Sequence, residues 1–208
     1  MIKGVLFDID GVLIQHKQYF GESLSSDMYK HPSLYLSGIY KTDENRNCDK
    51  GHLEITTDIE PFLKNIEWDK SVEEYLDQQY EFEAQYIDFE ILEDIKEIRK
   101  MGIITVIASN QNHYRKKYLL NKINANNTFD DYYFSSDIGY VKSENKYWEK
   151  VLSNINNKYK IENCNELLFI DDLEVNIMKA KEFEINSCLV KCREDIEEVM
   201  VKIKEGVV

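Results

Sequence analysis

Five short apolar runs, separated by stretches of helical pattern, constrain this chain more than any other feature of it. They are Val5 to Phe7, Ile103 to Ala108 (IITVIA), DDYYFSS at 130–136, NELLFI at 165–170 and SCLV at 187–190. The intervening EILEDIKEIRKMG, with Gly102 as a natural C-terminal stop, SNQNHYRKKYLL, KYWEKVLSNINN, DLEVNIMKAKEF and the closing REDIEEVMVKIKEG read as helices, the second after a turn. Strands alternating with helices imply right-handed crossovers. The expected fold class is α/β: a doubly wound, mostly parallel sheet with helices on both faces.

Residues 15 to 89 interrupt this grammar. They lack an apolar strand run, carry both prolines (Pro32 and Pro61), and contain helical stretches such as SVEEYLDQQYEFEAQY. A chain of 208 residues has room for one well-cored domain of about 130 residues and a smaller satellite. The sequence therefore predicts a core of residues 1–14 and 90–208 and an inserted helical domain over 15–89. The insert's aromatics, among them Tyr19, Phe20, Tyr29, Tyr35, Tyr40 and Trp68, are expected to pack a small helical core; lining a substrate pocket is the other reading.

A net charge of -13 disfavours nucleic acid, whose nonspecific binding depends on clustered Lys and Arg. A small phosphorylated metabolite stays admissible, because one metal ion and one Lys can reverse the field locally. Met1 opens directly into IKGVLFDID without the pattern of a secretory signal, and no apolar run approaches the length of about 20 residues that a membrane span needs. A cytoplasmic protein is expected. The cysteines at 48, 164, 188 and 192 form no CxxC pair and suggest reduced thiols acting as small buried hydrophobes. The histidines at 16, 31, 52 and 113 share no ligand spacing and are assigned no chemistry.

In an open parallel sheet, ligands bind beyond the carboxyl ends of the strands, so the residues that follow each run carry the information. These are Asp8 and Asp10, then Ser109 and Asn110, then Lys142, then Asp171 and Asp172. Four carboxylates, a hydroxyl and an ammonium would converge on one rim. Carboxylates so close raise one another's pKa unless a cation sits among them. Oxygen ligands without His or Cys favour magnesium.

The string Phe7-Asp8-Ile9-Asp10-Gly11-Val12 resembles the DxDGx(T/V) first motif of the haloacid dehalogenase-like (HAD) superfamily. Ser109 in VIASN resembles the second motif, Lys142 the third, and FIDD at 169–172 the fourth. The resemblance covers about 130 residues and takes its specificity from the combination. It implies a Rossmann-like core with a helical cap of the C1 type, and a magnesium-dependent phosphatase acting on a small phosphorylated metabolite through an aspartyl-phosphate. Asp8 would be the nucleophile and Asp10 the general acid and base. Gly11 would allow the sharp turn, and Ser109 would donate to a phosphoryl oxygen with the amide of Asn110 at a helix start. Lys142 would neutralise charge, and Asp171 and Asp172 would hold magnesium with the Asp8 carboxylate and the Asp10 carbonyl. Asn176 would orient the fourth-motif loop.

Other readings exist for single members: Ser109 as a helix-capping serine, Lys142 as a surface lysine, and the Asp171-Asp172 pair as an N-cap. The chain departs from the family pattern at Ser143, where many relatives carry Pro, and in KEFEINS, where a Gly usually ends the helix. Asp10 argues for phosphoryl transfer, since true dehalogenases lack that second aspartate. A phosphomutase and a catalytically silent binder of phosphorylated ligands are the alternatives.

Overall fold

The computed structural model describes residues 1–24 and 47–207. Five strands, β1 (Gly4–Phe7), β2 (Ile104–Ser109), β3 (Asp131–Phe134), β4 (Leu167–Asp171) and β5 (Asn186–Leu189), form one sheet in the order β3-β2-β1-β4-β5, with every pair parallel. Side chains alternate across a strand, so β1 supplies both faces. Val5 and Phe7 pack with Ile107, Leu168 and Ile170 on one side, and Leu6 packs with Val106, Leu167 and Phe169 on the other.

The first face is covered by α4 (Phe89–Lys100), α5 (His113–Lys122) and α10 (Arg193–Glu205), whose Ile91, Ile95, Ile98, Leu119, Ile196 and Met200 enter that core. The second is covered by α8 (Asn145–Tyr159) and α9 (Glu174–Glu182) through Tyr147, Trp148, Val151, Ile177 and Ala180. Apart from α5, which buries Leu119 alone, each apolar stripe recurs at three- and four-residue spacing, which is what fixes these segments as amphipathic helices. Met101 caps α4 and Gly102 takes the left-handed backbone at φ +86°, as its place in the sequence implies. At the end of α9, within KEFEINS, Glu184 takes the left-handed backbone at φ +60°.

A third apolar cluster lies apart from the sheet. It joins α1 (Phe20–Ser23), α2 (Ile55–Asn65) and α3 (Val72–Ala84) through Phe20, Cys48, Ile55, Ile59, Leu63, Tyr75, Leu76 and Tyr80. Phe20 and Trp68 both stack edge-on against Tyr75, as expected of core aromatics, whereas Tyr19 is exposed and stacks on His16. Tyr29, Pro32, Tyr35 and Tyr40 lie outside the described residues. Pro61 sits inside α2, where the buried stripe of Ile55, Ile59 and Leu63 holds the helix together around it. The segment enters and leaves the sheet domain at one place: Ile14 bridges Ile87, and the Asp88 amide donates to the Leu13 carbonyl at 2.9 Å.

Two local expectations change. β3 ends at Phe134, because Ser135 begins the helical turn α7 (Ser135–Ile138). Among the described residues there are also short turns at α6 (Ala125–Thr128), at 47–49 and, as a 3-10 turn, at Cys164–Glu166. Of the cysteines, all of them free, only Cys48 is buried; Cys164 and Cys188 are half-buried and Cys192 is exposed. No helix among the described residues is long and apolar enough to cross a membrane.

Candidate active site

The site lies at the carboxyl end of the sheet, around β1, where the chain reverses the direction in which it adds strands. Phe7 pairs in register with Ile107 and Ile170, so the next residues, Asp8 from β1 and Asp171 from β4, stand side by side, with Ser109 at the end of β2. Asp8, Asp171 and Asp172 each offer an oxygen within 4.8 Å of the others.

Lys142 is 1% exposed and reaches this cluster from the loop after α7. Its Nζ lies 2.7 Å from Asp8 Oδ2 and 2.6 Å from Asp171 Oδ2. The loop is fixed without a proline at 143: the Lys142 amide donates to Asn110 Oδ1 at 2.9 Å, and its carbonyl accepts from the indole of Trp148 at 2.8 Å. Burial pulls the Lys142 ammonium down, but Asp8 and Asp171 outweigh it and keep it above its usual range. Burial also pushes the Asp8 carboxyl up to about 8, against the pull of Lys142 and with the help of Asp171 and Asp10. Asp8 Oδ1 is buried and accepts no hydrogen bond from any described residue.

The two fourth-motif aspartates differ. Asp171 accepts from the Leu173 amide at 2.8 Å, from Asn176 Nδ2 at 3.1 Å on both oxygens, and from Lys142, which fills the roughly four acceptor sites of a carboxylate. Asp172 is half-buried, and burial together with its neighbour Asp171 raises its pKa. Neither caps α9, whose N-cap position is Leu173.

Asp10 meets four donors, although about a third of its side chain stays exposed. Arg115 grips it with a fork, Nη1 at 2.6 Å from Oδ2 and Nη2 at 2.7 Å from Oδ1, while Gln111 Nε2 lies 2.7 Å from Oδ2 and His16 Nε2 3.0 Å from Oδ1. Burial pushes the Asp10 carboxyl up, but Arg115 and then His16 hold it well below the usual carboxylate range. Gly11 follows at φ +74° and packs against the Asp172 side chain.

A family model for haloacid dehalogenase-like hydrolases matches residues 2–183. The chain belongs to that family. Among solved structures, a HAD family enzyme of Bacteroides thetaiotaomicron in complex with magnesium superposes on this HAD-like chain with a TM-score of 0.73 at 19% identity, over 95% of this chain and 98% of the other. A mutant of that enzyme was solved with magnesium and inorganic phosphate. A predicted HAD-like hydrolase of Porphyromonas gingivalis gives 0.67 at 17% identity over 98% of both chains. The HAD hydrolase YfnB of Bacillus subtilis, bound to magnesium, gives 0.62 at 14% over 96% and 99%. At these identities the likeness shows a shared fold. No functionally curated protein matches the sequence.

Within this HAD-like core, the residues singled out from the sequence come together, with one correction. The amide of Asn110 does not sit at a helix start: α5 begins at His113, and Asn112 caps it by accepting from the Arg115 amide at 2.9 Å. Asn110 instead uses its side chain, on Lys142. Nor does Ser109 cap that helix; its Oγ accepts from Gln111 Nε2 at 3.2 Å, and its own proton meets no acceptor among the described residues. Three residues around Asp10 escaped the sequence reading: His16, Gln111 and Arg115. Gln111 and Arg115 are four apart, and that spacing directly after a strand-end Ser is the signal that could have found them.

Proposed function

We propose that this HAD-like hydrolase is a magnesium-dependent phosphatase that cleaves a small phosphorylated metabolite through an aspartyl-phosphate on Asp8. The observation that carries the reading is the Asp8 carboxylate itself: one oxygen is held by a buried ammonium and the other is buried without a partner, beside a second carboxylate two residues on. A silent binder has no use for that second carboxylate, and a dehalogenase has no leaving alkoxide for it to protonate.

Three carboxylates this close, two of them with raised pKa, and an orphaned oxygen suit a hard divalent cation. Asp8 and Asp172 would hold magnesium, with the Asp10 carbonyl. Asp171, its acceptors already filled, would orient Lys142 and the loop. Bound there, magnesium would supply a positive charge against the phosphoryl oxygens.

The Asp8 carboxylate attacks phosphorus in line, the bond to the leaving oxygen breaks, and Asp10, protonated once Arg115 has released it, gives its proton to that oxygen. Asp10 then takes a proton from water, which attacks the aspartyl-phosphate and releases inorganic phosphate, restoring Asp8. Ser109 donates to a phosphoryl oxygen, and Lys142 offsets charge as it moves from Asp8 onto the phosphoryl group. Residues 15–89 act as the cap over this site. The test is phosphate release from a panel of phosphorylated metabolites with purified protein and magnesium. Halide release from a haloacid, with no phosphate release from any member, would overturn the reading.

A further inference from the structure

Arg115, three residues into α5, joins the two halves of the molecule. Its fork holds both oxygens of Asp10, and its Nη1 also donates to Gln111 Oε1 at 2.8 Å. The same guanidinium faces α3: Nη2 stands 3.0 Å from Glu83 Oε2, and the Tyr80 ring lies against its carbon at 5.9 Å.

Glu83 is 6% exposed. Its Oε1 accepts from Gln79 Nε2 at 2.8 Å, but its Oε2 accepts no aligned hydrogen bond, even with the guanidinium at ion-pair distance. An unmet buried acceptor is costly, so Glu83 pulls on Arg115 without having won it. Asp10 has the opposite state. Arg115 twice, Gln111 and His16 together match its roughly four acceptor sites, so although its side chain is 36% exposed, its oxygens are held by donors and kept ionised by the Arg115 fork.

We infer that Glu83 and Asp10 compete for Arg115, and that turning the guanidinium toward Glu83 frees Asp10 to act on the leaving group. Arg115 is a positioning residue, and through it the placement of α3 governs proton delivery at β1. The inference rests on the acid role proposed above for Asp10.

The test compares kcat and KM for β-glycerophosphate, which needs an acid, with those for p-nitrophenyl phosphate, which needs little help. Removing the competing charge in Glu83→Gln leaves Asp10 more firmly held, and the alkyl-to-aryl ratio of kcat falls about tenfold, with KM moving less than threefold. Should that variant fail to fold, Glu83→Asp, which keeps the charge but withdraws the oxygen, shifts the ratio the same way by less. Arg115→Lys cannot fork, so in that background Glu83→Gln causes no further change in the ratio. Additive effects, equal losses on both substrates, or a rise in KM with kcat unchanged would overturn the inference. If Asp10→Asn itself fails to discriminate the two substrates, the acid assignment falls; if only the Glu83 variants fail, this inference alone falls.

Discussion

A β-carbon placed on Gly11 would fall 2.4 Å from the carboxyl carbon of Asp172. Gly11 also holds φ +74°, a backbone region that costs an L-residue roughly 1–2 kcal/mol. The first and fourth motifs are thus in contact through a side chain that is missing. In Gly11→Ala, Asp172 must move or the turn after Asp10 must open, and misplacement of about 1 Å costs about a hundredfold in rate. Steady-state kcat/KM should fall by about that factor. A variant within twofold of wild type would show that Asp172 can shift freely.

Asp8→Asn is nearly isosteric and keeps the fold while removing the proposed nucleophile. Phosphatase activity should drop below about a thousandth of wild type, against an enzymatic acceleration of at least about a millionfold. Turnover above that level would reject Asp8 as the attacking group.

For Asp10→Asn, the loss should depend on the leaving group. Alkyl phosphates need a proton in the transition state and aryl phosphates need little, so the alkyl rate should fall about 100-fold or more and the aryl rate far less. Equal losses would count against the acid role.

Magnesium and beryllium fluoride together should build a phosphoryl mimic on Asp8 and increase hydrogen-exchange protection over 47–89. Chelation should abolish it, since bare carboxylates repel an anion. Asp171→Asn, which disturbs an orienting residue, should weaken magnesium binding about 10- to 100-fold, and Asp172→Asn should weaken it further. Protection that persists unchanged without metal would mean that the fourth-motif carboxylates are structural.

Asp49, in the helical turn over 47–49, has its pKa pushed to about 6 by burial, against Arg115 and with Asp10. The raised value means that the fold favours the protonated form. Its stabilising contribution is whole below the unfolded pKa, about 3.9, and is lost as pH rises through about 6. Asp49→Asn mimics the neutral form. Its melting temperature should match wild type near about pH 3.5 and exceed it near about pH 7.5; a constant difference across that range would place the titration elsewhere.

The sheet was legible because its central strands β1, β2 and β4 are apolar runs whose two faces are both covered, as with Leu6 and Phe7, and the candidate rim followed from what comes after each run. Boundaries were less so. DDYYFSS looks continuous, yet strand pairing stops at Phe134, and the Ser135 hydroxyl donates to the Asp49 carbonyl at 2.5 Å and accepts from the Gln111 amide. Those partners are 86 and 24 residues away, and no local pattern announces them. The same holds for Arg115, which reads as one more helix-surface cation until the fold brings Asp10 and Glu83 to it from distant segments. His16 was legible only as a scattered histidine, because the turn that returns it to Asp10 is set by Gly11 donating to Ile14 at 2.8 Å.

The bridge between Ile14 and Ile87 has a consequence for how such a chain can vary. Everything from 15 to 86 is one excursion whose mouth is already fastened at the edge of the core. Closing a longer excursion adds only about 0.6 kcal/mol of loop entropy per doubling of its length. On the proposed reading, that excursion can lengthen or shorten at little entropic cost while Asp8 and Asp10 keep their register, so the choice of leaving group can change without touching the sheet.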